Sequence, residues 1–216
     1  MNIYLDIETL PTTDQAIIDK FAEGITAPGQ YKKPDSIAEW MAANKDQALK
    51  ELVSKTSFDG LYGHIACIAW AIEDGDVTST SAGQSESQTI NMFYEAIAGY
   101  ERQITVVGHN VYGFDLPFLK HRSIILGIKP PGNIRRAMVA ERWGEEIADT
   151  MLMWSSEREK RVSMDKLCYA LGIPGKGDFD GSMVAETWFK DPQKVIDYCR
   201  DDVSRVRSIE KRLSFT

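Results

Sequence analysis

Three short stretches hold the side chains able to do chemistry. Near the N-terminus, Asp6-Ile7-Glu8 sets two carboxylates two residues apart. In a strand both acids share one face, about 6.6 Å apart along it, and both can reach a common cation. In the middle of the chain, Gly108-His109-Asn110 ends an apolar run, and Phe114-Asp115 opens what reads as a helix. Asp115 fits two roles there, an ordinary helix N-cap and an acid facing the crevice where a strand ends and a helix begins. Near the C-terminus, Tyr198-Cys199-Arg200-Asp201-Asp202 lies in a long periodic segment. At 100° per residue, Val195, Val203, Val206 and Leu213 fall within about 40° of Cys199 and mark a buried stripe. Asp202 lies at about −60°, on the buried side, whereas Asp201 points about 160° away, toward water. Tyr198, one turn before Asp202, shares its flank. An acid beside a core stripe is costly unless it is paired or binds metal. The Asp6–Glu8 pair also has an ordinary reading, as a solvated strand end.

Other chemistries find little support. Cys67, Cys168 and Cys199 form no C-x-x-C pair and are odd in number, against a disulfide framework or a structural zinc site and in keeping with a reducing, cytoplasmic setting. His64, His109 and His121 never approach metal-ligand spacing and read as capped or solvated residues, His109 the least so because it adjoins Asn110. The formal charge of −7 argues against holding nucleic acid by bulk charge, so a phosphate partner has to be met by local positive charge or by metal. The short basic clusters Lys32-Lys33, Arg135-Arg136 and Arg158 to Arg161 read as solvated loops, and Lys176 is at most a single phosphate contact. The longest apolar runs, such as Ile65 to Ile72, fall far short of the ~18 residues of a membrane span, and no basic n-region opens the chain.

The elements that must position these residues follow from periodicity. Ile3, Leu5 and Ile7 alternate with Tyr4, Asp6 and Glu8, the pattern of a strand. Residues 11–60 break it with Pro11, Gly24, Pro28, Gly29 and Pro34 in loops around one amphipathic helix, roughly Asp35 to Val53, whose stripe is Ile37, Trp40, Met41, Leu49, Leu52 and Val53. This is an insertion or lid. His64 to Ile72 reads as a buried strand, Asp74-Gly75 as a hairpin turn and Val77 to Ser81 as its partner. A helix capped by Ser85 with Gln88 spans about Glu86 to Ala98, a strand covers Ile104 to Gly108, and a helix starts near Asp115, dated by Pro117 in its first turn. After loops at Pro130 to Gly132, short segments cover Ile147 to Trp154 and Met164 to Leu171, then a Gly/Asp-rich loop covers Gly172 to Gly181. Asp191 caps the last helix, with Pro192 at its first position and its end near Leu213. Strands first and then alternating helices and strands imply a mixed sheet with helices on its faces, within the single domain that 216 residues suggest.

Taken together, Asp6-Ile7-Glu8-Thr9, Asn110-Val111-Tyr112-Gly113-Phe114-Asp115 and Tyr198 to Asp202 resemble the three motifs of the DEDD superfamily of 3′-5′ exonucleases, in their usual order. Pro174 to Ser182, the strand His64 to Trp70 and the helix before it extend the resemblance over nearly the whole chain, to stand-alone relatives of the proofreading domain of family B DNA polymerases. In the histidine subtype a His stands five residues before the last Asp; here that position is Asp197, so the chain resembles the tyrosine subtype. The resemblance implies a ribonuclease H-like α/β fold: one exonuclease domain over 1–216 containing the 11–60 insertion. It implies that Asp6, Glu8, Asp115 and Asp202 bind two Mg²⁺ or Mn²⁺ ions and that Tyr198 orients the attacking water. It also implies that Thr9, Leu10, Asn110 and Phe114 touch the terminal nucleotide, Leu10 as a wedge and Phe114 by stacking, although Phe114 reads as readily as core. The expected partner is the 3′ end of a single strand, DNA rather than RNA, released as 5′-mononucleotides. An RNA 3′-end trimming nuclease and a non-catalytic nucleic-acid-binding module are the alternatives; a mere binder gains nothing by burying uncompensated acids.

Overall fold

The computed structural model describes residues 1–100, 103–155 and 161–215. In chain order the elements are β1 (Asn2–Leu10), α1 (Gln15–Gly24), α2 (Pro34–Lys55), β2 (His64–Ile72), β3 (Thr78–Ser79), α3 (Glu86–Ala98), β4 (Thr105–Gly108), α4 (Asp115–Ile125), α5 (Gly132–Ala137), β5 (Ile147–Asp149), α6 (Thr150–Trp154), α7 (Met164–Leu171), α8 (Val184–Trp188) and α9 (Pro192–Leu213). They divide into two compact units, residues 1–9 with 65–216, and residues 10–64.

The larger unit is built on a mixed sheet, ordered β3-β2-β1-β4-β5 among the described residues. β1, β4 and β5 run parallel, with Tyr4 opposite Val107 and Gly108 opposite Asp149, so β4 and β5 end side by side while β1 continues past them to Leu10 and carries Asp6 and Glu8 beyond their ends. β2 and β3 pair antiparallel. Ile3, Leu5, Ile68, Phe93, Val106 and Leu119 belong to the buried core against which the helices pack. Burying such side chains, worth about 1.5–3 kcal/mol each, holds the strand ends in place. The capping box of Ser85 and Gln88 starts α3 as expected, and α9 begins at Pro192 behind an Asp191 cap.

The smaller unit departs from the sequence reading. α1, unforeseen there, starts on an Asp14 cap that accepts from Ala16 N, and Gly24 is its last residue rather than a loop residue. α2 covers the expected range, yet none of its residues is fully buried; Ile37 and Leu52 of the predicted stripe are exposed. Inside this unit Phe21 meets Tyr62 edge-on at 5.3 Å, and Thr12 N donates to Thr56 Oγ1 at 2.8 Å. α5 and α8 were also unforeseen, because proline and glycine signals mask helices as short as these. No helix of the described residues is long and apolar enough to cross a membrane.

Candidate active site

Strand alternation puts Tyr4, Asp6 and Glu8 on one face of β1, and α9 covers that face. Tyr4 donates from its hydroxyl to Glu210 Oε2 at 3.1 Å, and Cys199 Sγ donates to the Asp6 carbonyl at 3.4 Å. The buried stripe of α9 is the one expected from its phase: Val195, Cys199, Val203 and Val206 are fully buried, while Leu213 at its end is half-exposed. That phase turns Asp202 inward, to 2% exposure, and leaves the side chain of Asp201 68% exposed.

The result is a cluster of three acids. Asp6, Glu8 and Asp202 each bring a carboxylate oxygen to within 4.8 Å of the others. That spacing is of the order of opposite oxygen ligands around one hard cation, roughly 4–5 Å. Asp6 Oδ2 is buried and has no hydrogen-bond partner among the described residues. Burial pushes the Asp6 carboxyl well above its ordinary range, and the charges of Asp202 and Asp115 push it further. Glu8 is raised in the same way, by burial first and then by Asp6. An all-oxygen donor set with an orphaned buried oxygen fits a hard divalent cation and offers nothing to a soft, thiolate-seeking metal.

Asp115 stands at the same edge but in a different posture. Buried at the first position of α4, it accepts the Ile7 N–H at 3.1 Å, between the two acids of β1 in the chain. Burial raises its pKa to about 7. Its carboxylate is therefore tied to the strand that carries Asp6 and Glu8, without joining the group of three.

Two cations lean on Asp202, and the sequence reading assigned neither to it. Lys176 Nζ reaches Asp202 Oδ2 at 2.5 Å and donates to the Tyr198 hydroxyl at 2.7 Å. Arg205 Nη1 donates to Asp202 Oδ1 at 2.8 Å, and its Nη2 donates to the Gly175 carbonyl at 3.0 Å, so it ties the helix to the loop that carries Lys176. Gly177, at φ +66°, supplies the left-handed turn just after Lys176. Phe179 from the same loop packs edge-on against Tyr198 with ring centroids 4.9 Å apart. Burial and the nearby carboxylates raise the Tyr198 pKa, so the phenol keeps its proton at neutral pH. A lysine between two glycines and an arginine one turn after an acid were the available signals; neither is specific.

The proposed nucleotide contacts fare unevenly. Asn110 adopts φ +64°, a conformation disfavoured for a residue with a side chain, and its Oδ1 would lie 2.6 Å from any Cβ at position 113, which is why Gly113 follows. Phe114 is half-buried and packs against Phe118 and the core. Thr9 is buried, and Leu10 is only 2% exposed, so Leu10 does not stand free as a wedge; an apolar residue closing a strand gains more from burial. His109 donates through Nε2 to the Val162 carbonyl and meets Thr150 Oγ1 through Nδ1, a satisfied histidine rather than a ligand. Arg135 and Arg136 are exposed; Arg158 and Lys160 of the third basic cluster lie outside the described residues.

Residues 63–206 match the profile of a family described as predicted 3′-5′ exonucleases related to the exonuclease domain of PolB. The chain belongs to this family. The match takes in Asp115, Lys176, Tyr198 and Asp202, whereas Asp6 and Glu8 precede it. The fold of the chain is similar to the family B DNA polymerase of the hyperthermophilic archaeon Pyrobaculum calidifontis, with a TM-score of 0.60 and 17% identity over 99% of the chain. The chain spans 24% of that polymerase. Its mixed sheet flanked by helices is thus ribonuclease H-like. No curated protein matches.

Proposed function

We propose that the chain is a divalent-metal-dependent 3′-5′ exonuclease that removes 5′-mononucleotides from single-stranded DNA. The observation that carries this reading is the trio Asp6, Glu8 and Asp202, with oxygens within 4.8 Å and Asp6 Oδ2 buried without a partner. Asp6, Glu8 and Asp202 hold the metal, with Asp115 serving a second ion from its place on the Ile7 amide. Two Mg²⁺ or Mn²⁺ ions, when bound, supply an activated water and charge neutralisation at the attacking and leaving oxygens.

The chain's own residues do the rest. Tyr198, protonated and hydrogen-bonded to Lys176, directs its hydroxyl toward the attacking water. Lys176 and Arg205 hold the Asp202 carboxylate in one orientation. Asn110, held in its left-handed conformation, presents its amide to the terminal nucleotide, beside Phe114; Thr9 supports that end of β1. The 10–64 unit, entered from β1 and left into β2, is an insertion within one exonuclease domain.

Matched 5′-labelled single strands of DNA and RNA, incubated with Mg²⁺ or with excess chelator, test the reading. DNA should shorten from its 3′ end only with metal, leaving mononucleotides, and a circular strand should persist. Faster loss of the RNA strand would reassign the substrate. Cleavage in chelator, or cutting of the circle at the linear rate, would overturn the assignment.

A further inference from the structure

β4 and β5 end side by side at Gly108 and Asp149, on the same edge as the acids of β1. Two strand spacings, roughly 10 Å, separate β5 from β1. Past that edge lies a cavity of about 120 Å³ lined by Asn110, Tyr112, Arg142, Asp149, Leu152 and Arg161. Tyr112 also lines a second cavity, of about 340 Å³, together with Leu116, Pro117, Met138, Val139 and Ile147, and its walls offer polar as well as apolar surface. Tyr112 is 37% exposed and stands between the two.

The charges around the smaller cavity are unbalanced. Neither Arg142 nor Arg161 forms an ion pair among the described residues, and Arg142 lies over the Trp143 ring at 5.2 Å. Asp149, the acid on the cavity wall, spends its carboxylate on the backbone N–H groups of Asn110, Tyr112, Met151 and Leu152. Two guanidinium groups without acid partners among the described residues, both lining one small cavity in a chain of net charge −7, call for an anion. The volume suits a phosphate group, about four waters' worth of space. The larger cavity, with its mixed polar and apolar lining, suits a nucleobase, whose faces are apolar and stack on a tyrosine and whose edges are polar.

We propose that the two cavities form one nucleotide subsite for the strand upstream of the cleaved 3′ residue. A backbone phosphate sits between Arg142 and Arg161, and the adjoining base enters the larger cavity against Tyr112. Two to three nucleotide steps, at the ~3.4 Å stacked rise, span the distance to β1. A base has to be unpaired to enter, which favours single strands. This inference rests on the exonuclease reading and deepens it.

The test compares two substrates, a DNA octanucleotide and the p-nitrophenyl ester of thymidine 5′-phosphate, which has one nucleotide and no upstream strand. In the double variant Arg142→Gln/Arg161→Gln, the ratio of kcat/KM for the strand to that for the ester should fall about tenfold. The slope of log(kcat/KM) against log salt for the strand should flatten by about 0.7, one phosphate's worth. Tyr112→Ala, a single change distant from both arginines in sequence, should also lower the ratio about tenfold but leave that slope as in wild type. Equal losses on both substrates, or an unchanged ratio and slope, would overturn the subsite. An unchanged ratio with weaker inhibition by added thymidine 5′-monophosphate would mean that the cavities take the free nucleotide, which also overturns the strand assignment. If the wild type hydrolyses neither substrate, the exonuclease reading itself fails.

Discussion

Two sets of acids stand at one end of the parallel strands and are satisfied in opposite ways. Asp149, 4% exposed at the end of β5, accepts four backbone N–H groups from the turn after β4 and the start of α6. Asp6 and Glu8, two strands away on β1, meet each other and Asp202, and one Asp6 oxygen meets nothing among the described residues. The first acid is completed by the backbone; the second set keeps one oxygen without a partner among the described residues. Burial of a carboxylate therefore does not mark function. What marks it is whether the buried lone pairs are taken up.

The comparison is broken most severely at Asp202. Asp202→Asn should lower the single-turnover rate at saturating Mg²⁺ by two or more orders of magnitude, on the order of 3 kcal/mol of transition-state stabilisation. Asp201→Asn, one residue away but facing water, should stay within a few-fold of wild type. If Asp201→Asn is the inactive variant, the catalytic face of α9 is misassigned. Tyr198→Phe should lie between the two, about an order of magnitude down, because it removes one hydrogen bond and leaves every acid in place.

Asp149 sharpens the contrast through stability rather than rate. Asp149→Ala leaves four N–H groups without their acceptor and should destabilise the fold by roughly 2–3 kcal/mol. In a chain of this size that lowers Tm by roughly 5–10 °C in thermal unfolding followed by circular dichroism. A Tm within a degree of wild type would mean that the cap is dispensable and that the two sets of acids differ less than their geometry indicates.

The sequence made these acids unequally legible. Asp202 was separable from Asp201 because α9 is long, and 100° per residue over five turns leaves little doubt about its phase. Asp6 and Glu8 were placed by simple alternation in β1. Asp149 was not singled out, since a cap is recognised by which N–H groups fold back onto it, and those of Asn110 and Tyr112 come from nearly forty residues away. Lys176 was missed as a partner of Asp202 for the same reason, since a loop of glycines has no periodicity to say where its lysine goes; Arg205, three residues on along α9, was within reach of the helical phase but such i,i+3 spacing is unspecific. The half-exposed face of α2 shows the opposite failure, a helix legible in range whose predicted stripe is not buried.

The smallest expected effect is also the most direct test of incompleteness. Burial raises the folded-state pKa of Asp6 above the ordinary carboxyl value of 3.8, and raises Asp115 to about 7. For an acid with a raised folded pKa, stability is fully present below the unfolded pKa and is lost as pH climbs through the folded one. Metal-free protein should therefore lose this contribution between about pH 4 and pH 7 or above. His109, whose pKa burial lowers, pulls the other way over part of that range, because the unfolded chain binds its proton below pH 6.5. The difference between wild type and Asp6→Asn cancels that shared term. In excess chelator Asp6→Asn should melt close to wild type at pH 5 and a few degrees above it at pH 8, where the wild-type acid is forced toward its charged form. Millimolar Mg²⁺ should reverse the order at pH 8, stabilising wild type through binding that the variant has largely lost. Melting curves of the two proteins at pH 5, 6, 7 and 8, with chelator and with Mg²⁺, read out both signs. A variant that melts below wild type at pH 8 in chelator would show that Asp6 is already satisfied by the protein, and would place it with Asp149 rather than apart from it.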